Sequence, residues 1–175
     1  MADQDTTTPT IEGNDESQAA QPQVATAAQY IKDLSAECPS APQVFQWQTQ
    51  PTLDVQFGIS GSQVGEDVHE VILKIDVAAK SDSGTHFIID LSYAGAFLFR
   101  NFPEEALPPF MLVEAPRLLF PFARQIIAET IQNLGFPPVL LDPIDFASAY
   151  VSQMEAQQQA LGQPGGDGEP PVGHA

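Results

Sequence analysis

Residues 85–99, THFIIDLSYAGAFLF, carry large apolar side chains at every second position. The alternating set comprises Phe87, Ile89, Leu91 and Tyr93. A period of two is typical of a strand that buries one face and leaves the other polar. The stretch therefore predicts a long strand of a sheet with one core-facing side.

The same alternation occurs in two segments that precede this strand. Residues 52–60, TLDVQFGIS, and residues 66–80, EDVHEVILKIDVAAK, each space their apolar side chains two apart. The turn residues SDSG follow at 81–84. Residues 26–37, TAAQYIKDLSAE, show the pattern less clearly and supply a fourth strand. Because short connections make neighbouring strands antiparallel, the sequence predicts a four-stranded antiparallel meander.

The apolar period then changes to that of a helix. In residues 116–135, PRLLFPFARQIIAETIQNLG, the apolar residues fall on one helical stripe. A proline is tolerated in the first turn, so Pro121 predicts a helix start near Leu119. Residues 145–162, DFASAYVSQMEAQQQALG, predict a second helix capped by Asp145. Strands followed by helices predict an α+β fold with two helices packed on one face of the sheet.

Residues 100–116, RNFPEEALPPFMLVEAP, fit neither period and contain four prolines. They predict a long irregular crossover between the fourth strand and the first helix. Long apolar loops are uncommon in compact domains and are more often functional than idle.

The two ends differ from the middle in composition. Residues 1–24 are polar and acidic, and residues 162–175 consist largely of Gly and Pro. Neither segment buries enough apolar surface to offset its chain entropy. Both are therefore predicted to be disordered tails on one folded domain, residues 25–161.

The chain is strongly acidic, with 6 basic and 23 acidic residues and a net charge of −17. This charge repels nucleic acid and anionic membrane surfaces and favours basic partners. The one cysteine excludes an internal disulfide, and no Cys/His cluster has metal-ligand spacing. No apolar run is long enough to span a membrane. We expect a cytoplasmic protein without a metal, a cofactor or direct membrane insertion.

Candidate catalytic groups are few. The acid Glu37 lies beside Cys38 and does not favour the thiolate that a nucleophile needs. The paired carboxylates at 66–67 and 104–105 are adjacent in sequence, so they point apart and suit solvation better than acid–base chemistry. The sequence therefore predicts a protein that is not an enzyme.

Apolar residues also occur on the polar face of the predicted sheet, at Val68, Ile72 and Ile88. A sheet that is apolar on both sides needs cover on both sides, and two helices can cover only one. This pattern predicts an obligate oligomer.

Four motifs resemble those of the SecB family of protein-export chaperones. They are LLFPFARQII at 118–127, GFPPVLLDPIDF at 135–146, APQVF at 41–45 and EDVHEVILKIDVAA at 66–79. The resemblance covers about residues 28–152. It implies a homotetramer, a dimer of dimers, that acts as an ATP-independent holdase. Such a protein keeps newly made precursor proteins unfolded and delivers them to the motor SecA.

The resemblance also implies functional residues. Acidic side chains on a flat sheet surface contact the basic, zinc-containing C-terminal tail of SecA, so the zinc belongs to the partner. The matching positions here are Asp33, Glu37 and Asp90. Asp33 and Glu37 are four residues apart, so on a strand they point the same way and lie about 13 Å apart.

Client segments would bind an apolar groove between the crossover and the second helix. The candidate groove residues are Trp47, Phe97, Phe102, Leu107, Phe110 and Met111. Grooves with many apolar contacts suit promiscuous recognition, because clients share no side-chain code.

Two other functions stay open. One is a dedicated SecB-like chaperone with a single client, such as an antitoxin. The other is a hot-dog-like enzyme, which would use Asp145, His69 or His86.

Overall fold

The computed structural model describes residues 21–161, and the predicted tails lie outside this range except for residues 21–24. Four strands come first: β1, Gln23–Glu37; β2, Thr52–Gln63; β3, Val68–Ser81; and β4, Gly84–Arg100. All of their pairings are antiparallel. Strand β1 begins at Gln23, inside the range predicted as the N-terminal tail.

The sheet has the strand order β1-β4-β3-β2, so β1 pairs with β4 and not with β2. The meander prediction is therefore wrong for β1, whereas it is right for β2, β3 and β4. The reason lies in the β1–β2 connection, which crosses the end of the β3–β4 hairpin. Its Val44 is buried, and Trp47 packs over Gly84 in the hairpin turn. The order is that of a Greek key.

One face of the sheet carries the core, as residues 85–99 predict. The side chains of Phe87, Ile89, Leu91 and Tyr93 are all buried. Helix α1, Ala115–Asn133, lies on this face against β3 and β4. Its buried stripe includes Leu119, Ala123, Ile127 and Ile131. We call the opposite side of the sheet the open face.

The predicted irregular crossover is wrong for residues 104–116, because the chain there is helical. A 3₁₀ turn, Glu104–Ala106, leads into an α-helical turn, Leu107–Pro109, and then into a π-helical segment, Phe110–Glu114. Helix α1 follows directly. It begins at Ala115 and not near Leu119 as predicted.

Both wrong predictions, the irregular crossover and the late start of helix α1, rested on prolines. Pro108 and Pro109 lie in a first helical turn, where the missing N–H has no helical partner to lose. Pro121 lies deeper in helix α1, on its exposed side. The carbonyl group that it leaves unpaired belongs to exposed Arg117, so water can satisfy it. Burial of the other side of the helix offsets the cost.

Helix α2, Phe146–Leu161, begins where it was predicted to begin. Asp145 caps it, because its two carboxylate oxygens accept from the backbone N–H of Ser148 at 3.0 Å and from its hydroxyl at 2.8 Å. These hydrogen bonds lower the pKa of Asp145. Phe146 packs edge-to-face on Phe120, with ring centroids 6.0 Å apart, and so joins α2 to α1.

Gly95 sets the distance between β4 and α1. A Cβ atom there would lie 2.8 Å from Cδ2 of Leu119 and 2.9 Å from Cε2 of Phe97. Both neighbours are fully buried and have no room to move. We expect Gly95→Ala to lower the free energy of unfolding by about 1–3 kcal/mol.

The matched control is Gly58→Ala on β2, where the nearest atom to a new Cβ is Cβ of Lys74 at 3.7 Å. This variant should be neutral or slightly stabilising, because alanine lowers the entropy of the unfolded chain. Urea titration at one fixed protein concentration measures both. Equal stability of the two variants would contradict the close approach of α1.

Candidate functional site

The three predicted acidic residues lie together on the open face. The register places Asp33 opposite Ser92, Ser35 opposite Asp90, and Glu37 opposite Ile88. Residues directly opposite in an antiparallel pair share a face, and this is the side away from helix α1. Asp33 and Glu37 are both exposed, whereas Asp90 is partly exposed.

Two further acids extend this cluster, and sequence reasoning missed them as site residues. Asp76 on β3 lies opposite Asp90, and Asp54 on β2 lies opposite Ala78. They line a shallow depression of about 230 Å³ in the open face together with Asp90 and Ile88. The period-2 pattern assigns both acids to the polar side, but only the register shows that the acids of four strands form one surface. We call this surface the acidic face: Asp33, Glu37, Asp54, Asp76 and Asp90.

Lys74 is the one cation that ion-pairs within the described part of the acidic face. Its Nζ lies 3.1 Å from Oδ2 of Asp90 and 3.4 Å from Oδ1 of Asp76. Hydrogen bonds to Asp90 first, and then to Asp76, raise the pKa of Lys74. Like charges directly opposite on neighbouring strands destabilise a sheet, and Lys74 relieves this repulsion. Among the described residues, Asp33 and Glu37 form no ion pair.

The other half of the open face holds a buried carboxylate. Glu70 on β3 is only 7% exposed and accepts hydrogen bonds from the Tyr30 hydroxyl and from Lys32 Nζ, at 2.5 Å for the latter. Both donors lie on β1, two strands away, and reach Glu70 across the small side chains of Ala94 and Ala96 on β4. Lys32 and then Tyr30 lower the pKa of Glu70, and Glu70 raises the pKa of Tyr30.

Five of the six predicted groove residues lie at one end of the sheet. Phe97, Phe102 and Phe110 form an aromatic cluster with Phe99. Phe97 is fully buried, so it forms part of the cluster's core and not of an accessible surface. Two other candidate groove residues, Phe102 and Leu107, are partly exposed and line a depression of about 430 Å³.

Met111 and Trp47 lie at opposite ends of the sheet. Met111 lies at the same end as the aromatic cluster and packs over Gly61 of the edge strand β2, where a Cβ atom would collide with the Met111 side chain. Trp47 lies at the opposite end, edge-to-face against His86, with ring centroids 5.0 Å apart. The structure does not bring Trp47 to the other candidate groove residues.

A second apolar depression, of about 350 Å³, was missed. It lies between strand β2, the π-helical segment and helix α2, and its lining side chains are Phe57, Ile59, Leu112, Ile144, Phe146 and Ala149. The alternating pattern of β2 assigns Phe57 to the core, yet this side chain is 41% exposed. Its ring meets helix α1 at Phe120, with centroids 6.3 Å apart, and the remainder of the ring lines the depression.

The catalytic candidates do not form a site. His69 lies opposite Phe97 near one end of β4, and His86 lies near the other, roughly 35 Å away along the strand. His86 hydrogen-bonds Ser81 Oγ at 2.9 Å, and the Cys38 thiol donates to the His86 carbonyl oxygen at 3.2 Å. Asp145 serves as a helix cap. Within residues 21–161, no group of three His, Cys, Asp or Glu is placed to hold a metal ion.

A family model described as preprotein translocase subunit SecB matches residues 17–158 of the chain. The chain belongs to the SecB family, the protein-export chaperones. Two similar relatives are both named protein-export protein SecB. The Sphingopyxis alaskensis protein is 49% identical over the full length of both chains. The Rhizorhabdus wittichii protein is 55% identical over 83% of this chain and 89% of its own.

A solved structure supports the fold. The Mycobacterium tuberculosis SecB-like chaperone, in complex with a ChAD peptide from the HigA1 antitoxin, matches with a TM-score of 0.58. The match covers 72% of this chain and 92% of that chain, at 18% sequence identity. Among the helices in residues 21–161, none combines the length and apolar character that crossing a membrane requires.

The lowered pKa of Glu70 makes a testable contribution to stability. Because its folded-state pKa lies below the ordinary value of 4.5, the carboxylate stabilises the fold above that value. This stabilisation is lost as the pH falls through the lowered pKa. We expect Glu70→Gln to be less stable at pH 7 and to lose less stability than the wild-type protein on acidification.

Thermal unfolding between pH 7 and pH 3 measures this difference. Glu129→Gln is the control, because Glu129 is exposed on helix α1 and its described partner is the neutral Gln125. It should follow the wild-type pH profile. A Glu70→Gln profile parallel to the wild type would contradict the ion pair.

Proposed function

We propose that the protein is an ATP-independent holdase that binds unfolded precursor proteins, keeps them competent for translocation and delivers them to SecA. The observation that carries the proposal is the combination, on one SecB-family chain, of exposed apolar depressions with a separate acidic face. Apolar depressions suit unfolded segments, and holding them needs no catalytic group. We also propose that it acts in the cytoplasm.

The acidic face is the proposed contact for the basic tail of SecA, through Asp33, Glu37 and Asp90. Support comes from charge: these side chains lie on an uncovered sheet surface, and two of them form no ion pair within residues 21–161. Opposite charge speeds encounter and fixes the register of a complex. Asp54 and Asp76 extend the same field and are proposed to assist.

Clients are proposed to bind at Phe102, Leu107, Phe110 and Met111, over the buried Phe97. Trp47 remains a candidate that is remote from the others, so it would contact a different part of a long client. The depression beside Phe57 and Ile59 lies between the π-helical segment and α2 and is proposed as part of the same groove.

We propose that the protein is a homotetramer and that strand β1 and the outer side of helix α1 form its subunit interfaces. Nearly every residue of β1 is exposed on both faces, and the outer edge of this strand has no partner within residues 21–161. Its Ile31 and Leu34 are 46% and 38% exposed. Leu118 and Phe122 on α1 are about half exposed, and Phe122 stacks on Tyr93, the residue opposite Ile31.

The stacking of Phe122 on Tyr93 brings the outer side of α1 near Ile31, so we propose that Ile31, Leu34, Leu118 and Phe122 form one apolar patch beside the outer edge of β1. An exposed, long, apolar edge strand is an aggregation site unless a partner covers it. A second copy of the chain is the partner that this argument favours.

A dedicated chaperone with a single client is the second candidate. It is favoured by one observation, namely that the similar M. tuberculosis structure holds an antitoxin peptide. That protein is 18% identical, whereas the protein-export relatives are about half identical, so protein export is the stronger proposal.

The proposed function predicts that SecA binding can be lost while client holding is kept. Substoichiometric wild-type tetramer should delay the refolding of a slow-folding precursor, and so should the variant Asp33→Ala, Glu37→Ala, Asp90→Ala. Only the variant should lose SecA affinity, by about tenfold or more at low salt, because attraction between exposed charges is strongest there.

Cys38→Ser is the matched control, because it changes a neighbour of Glu37 without changing charge. It should bind SecA and delay refolding as the wild-type protein does. If wild-type tetramer leaves the refolding rate unchanged, the holdase proposal is wrong. If the triple variant keeps full SecA affinity at low salt, the acidic face is not the contact.

The tetramer proposal predicts that Leu118→Glu with Phe122→Glu dissociates the assembly, because charge in the apolar patch is costly to bury. Sedimentation equilibrium measures the mass. Leu140→Glu is the control, since Leu140 is 65% exposed and lies outside the patch. It should remain a tetramer. A double variant with unchanged mass would exclude the patch as an interface.

A further inference from the structure

The open face carries a cation in the middle of its acids. Asp33 on β1 and Lys74 on β3 both lie opposite Ser92 on β4, so these three residues form one row across the sheet. In the neighbouring row on the same face, Asp90 on β4 lies opposite Asp76 on β3. Because adjacent strands lie about 5 Å apart, the backbones at Lys74 and Asp33 are about 10 Å apart.

The Lys74 ammonium group lies between two carboxylates. Its Nζ is 3.1 Å from Oδ2 of Asp90 and 3.4 Å from Oδ1 of Asp76. Asp90 is also one of the three residues proposed to contact the basic tail of SecA. Lysine and arginine side chains of that tail would bind the same carboxylate that Lys74 already contacts. The free protein therefore holds an internal cation where a basic partner would place one of its own.

The charge of Lys74 affects a partner differently at a distance and at contact. Asp76, Asp90 and Lys74 together keep one net negative charge, so the face still attracts a basic partner from afar. A cationic side chain that reaches Asp90, however, comes close to the Lys74 ammonium group. Two positive charges at such a separation repel each other even at physiological salt, where the screening length is about 8 Å.

The exposure of Lys74 allows the partner to displace it. Its side chain is 47% exposed, and exposed ion pairs contribute little to stability, because solvent screens them and pairing restricts the side chains. The ammonium group ends a flexible four-carbon chain, so it can turn into solvent without movement of strand β3. A partner with several positive charges can therefore replace Lys74 at Asp90, and only two weak contacts break.

We propose that Lys74 is an internal competitor of the basic partner, which contacts Asp90 in the free protein, leaves it when the partner binds, and thereby lowers the affinity of the acidic face. The inference rests on the proposed function, because it concerns the same contact with the basic tail of SecA. It gives Lys74 a role in selectivity. A segment with one basic residue gains little by replacing another single cation, whereas a segment with several also gains from Asp33 and Glu37.

Lys74→Gln tests the competition, because glutamine keeps much of the length of lysine without its charge. At about 0.1 M salt we expect this variant to bind SecA about threefold or more tighter than the wild-type protein, since two exposed ion pairs no longer oppose binding. Calorimetric titration measures the affinity. Urea titration should show a small loss of stability, because the repulsion between Asp76 and Asp90 is no longer relieved. A purely structural role of Lys74 would not produce tighter binding by a less stable protein.

Lys80→Gln is the matched control for charge. It removes the same charge from the same strand, at an exposed residue that forms no ion pair among residues 21–161. Lys80 lies about 20 Å along the strand from Lys74, beyond the screening length of about 10 Å at this salt concentration. It should therefore bind SecA as the wild-type protein does. An equal gain in both glutamine variants would reduce the effect to net charge and overturn the proposal.

Two further variants test the role of Asp90. Lys74→Arg keeps the charge and pairs with carboxylates at least as well, so it should bind SecA no more tightly than the wild-type protein. In an Asp90→Asn background the disputed carboxylate is absent, so the gain from Lys74→Gln should fall by half or more. A gain that persists undiminished there would contradict the competition for Asp90. Weaker binding by Lys74→Gln in the wild-type background would also overturn it, because Lys74 would then support the contact.

The two proposals fail differently. If the wild-type protein does not bind SecA, the assignment of the acidic face as the SecA contact is wrong. A pentalysine peptide then serves as the basic probe, and the competition still predicts that Lys74→Gln binds it more tightly than Lys80→Gln does. If the variant Asp33→Ala, Glu37→Ala, Asp90→Ala loses SecA affinity but Lys74→Gln gains none, the competition is wrong and the acidic face stands.

Discussion

Three small residues in the middle of strand β4 are the constraint on which the rest of the structure depends. Gly95 faces helix α1 and lets Leu119 pack directly onto the strand. Ala94 and Ala96 face the other way. Because their side chains are small, side chains of β1 extend across β4 and bind Glu70 on β3. Because β4 pairs with both β1 and β3, its small side chains permit close contacts on both faces at once. One strand thus fixes the core and organises the open face.

The local structure could be predicted from the sequence, whereas the long-range pairing could not. Alternation found the strands and their buried face, and Asp145 was correctly assigned as a cap. The partner of β1 depends on how the connection carrying Val44 and Trp47 packs on the β3–β4 hairpin, which is a tertiary contact without a local signature. Prolines were overvalued as helix breakers. Pro108 and Pro109 lie in a first helical turn, where no hydrogen bond is lost, and Pro121 leaves only an exposed carbonyl group unpaired.

The same division applies to the candidate site. An even separation predicts that Asp33 and Glu37 share a face, and they do. Which face they share depends on a bulge, because Lys32 is inserted between Ile31, which pairs with Tyr93, and Asp33, which pairs with Ser92. The apolar period of the sequence does not reveal this bulge. Asp54 and Asp76 were assigned to the polar side of their strands, but only the register aligns them with Asp90. Single-strand patterns therefore identify the residues of a surface and not the surface itself.

The electrostatics of the open face favour a role beyond solubility. Directly opposed carboxylates such as Asp76 and Asp90 destabilise a sheet. A surface selected only for solubility could place these acids on the exposed helices, where no strand forces them together. Lys74 offsets part of the repulsion and leaves the acids of β1 unpaired within residues 21–161. If a basic partner binds this surface as proposed, it relieves the repulsion that the fold retains, and the cost to the free protein then contributes to the affinity of the complex.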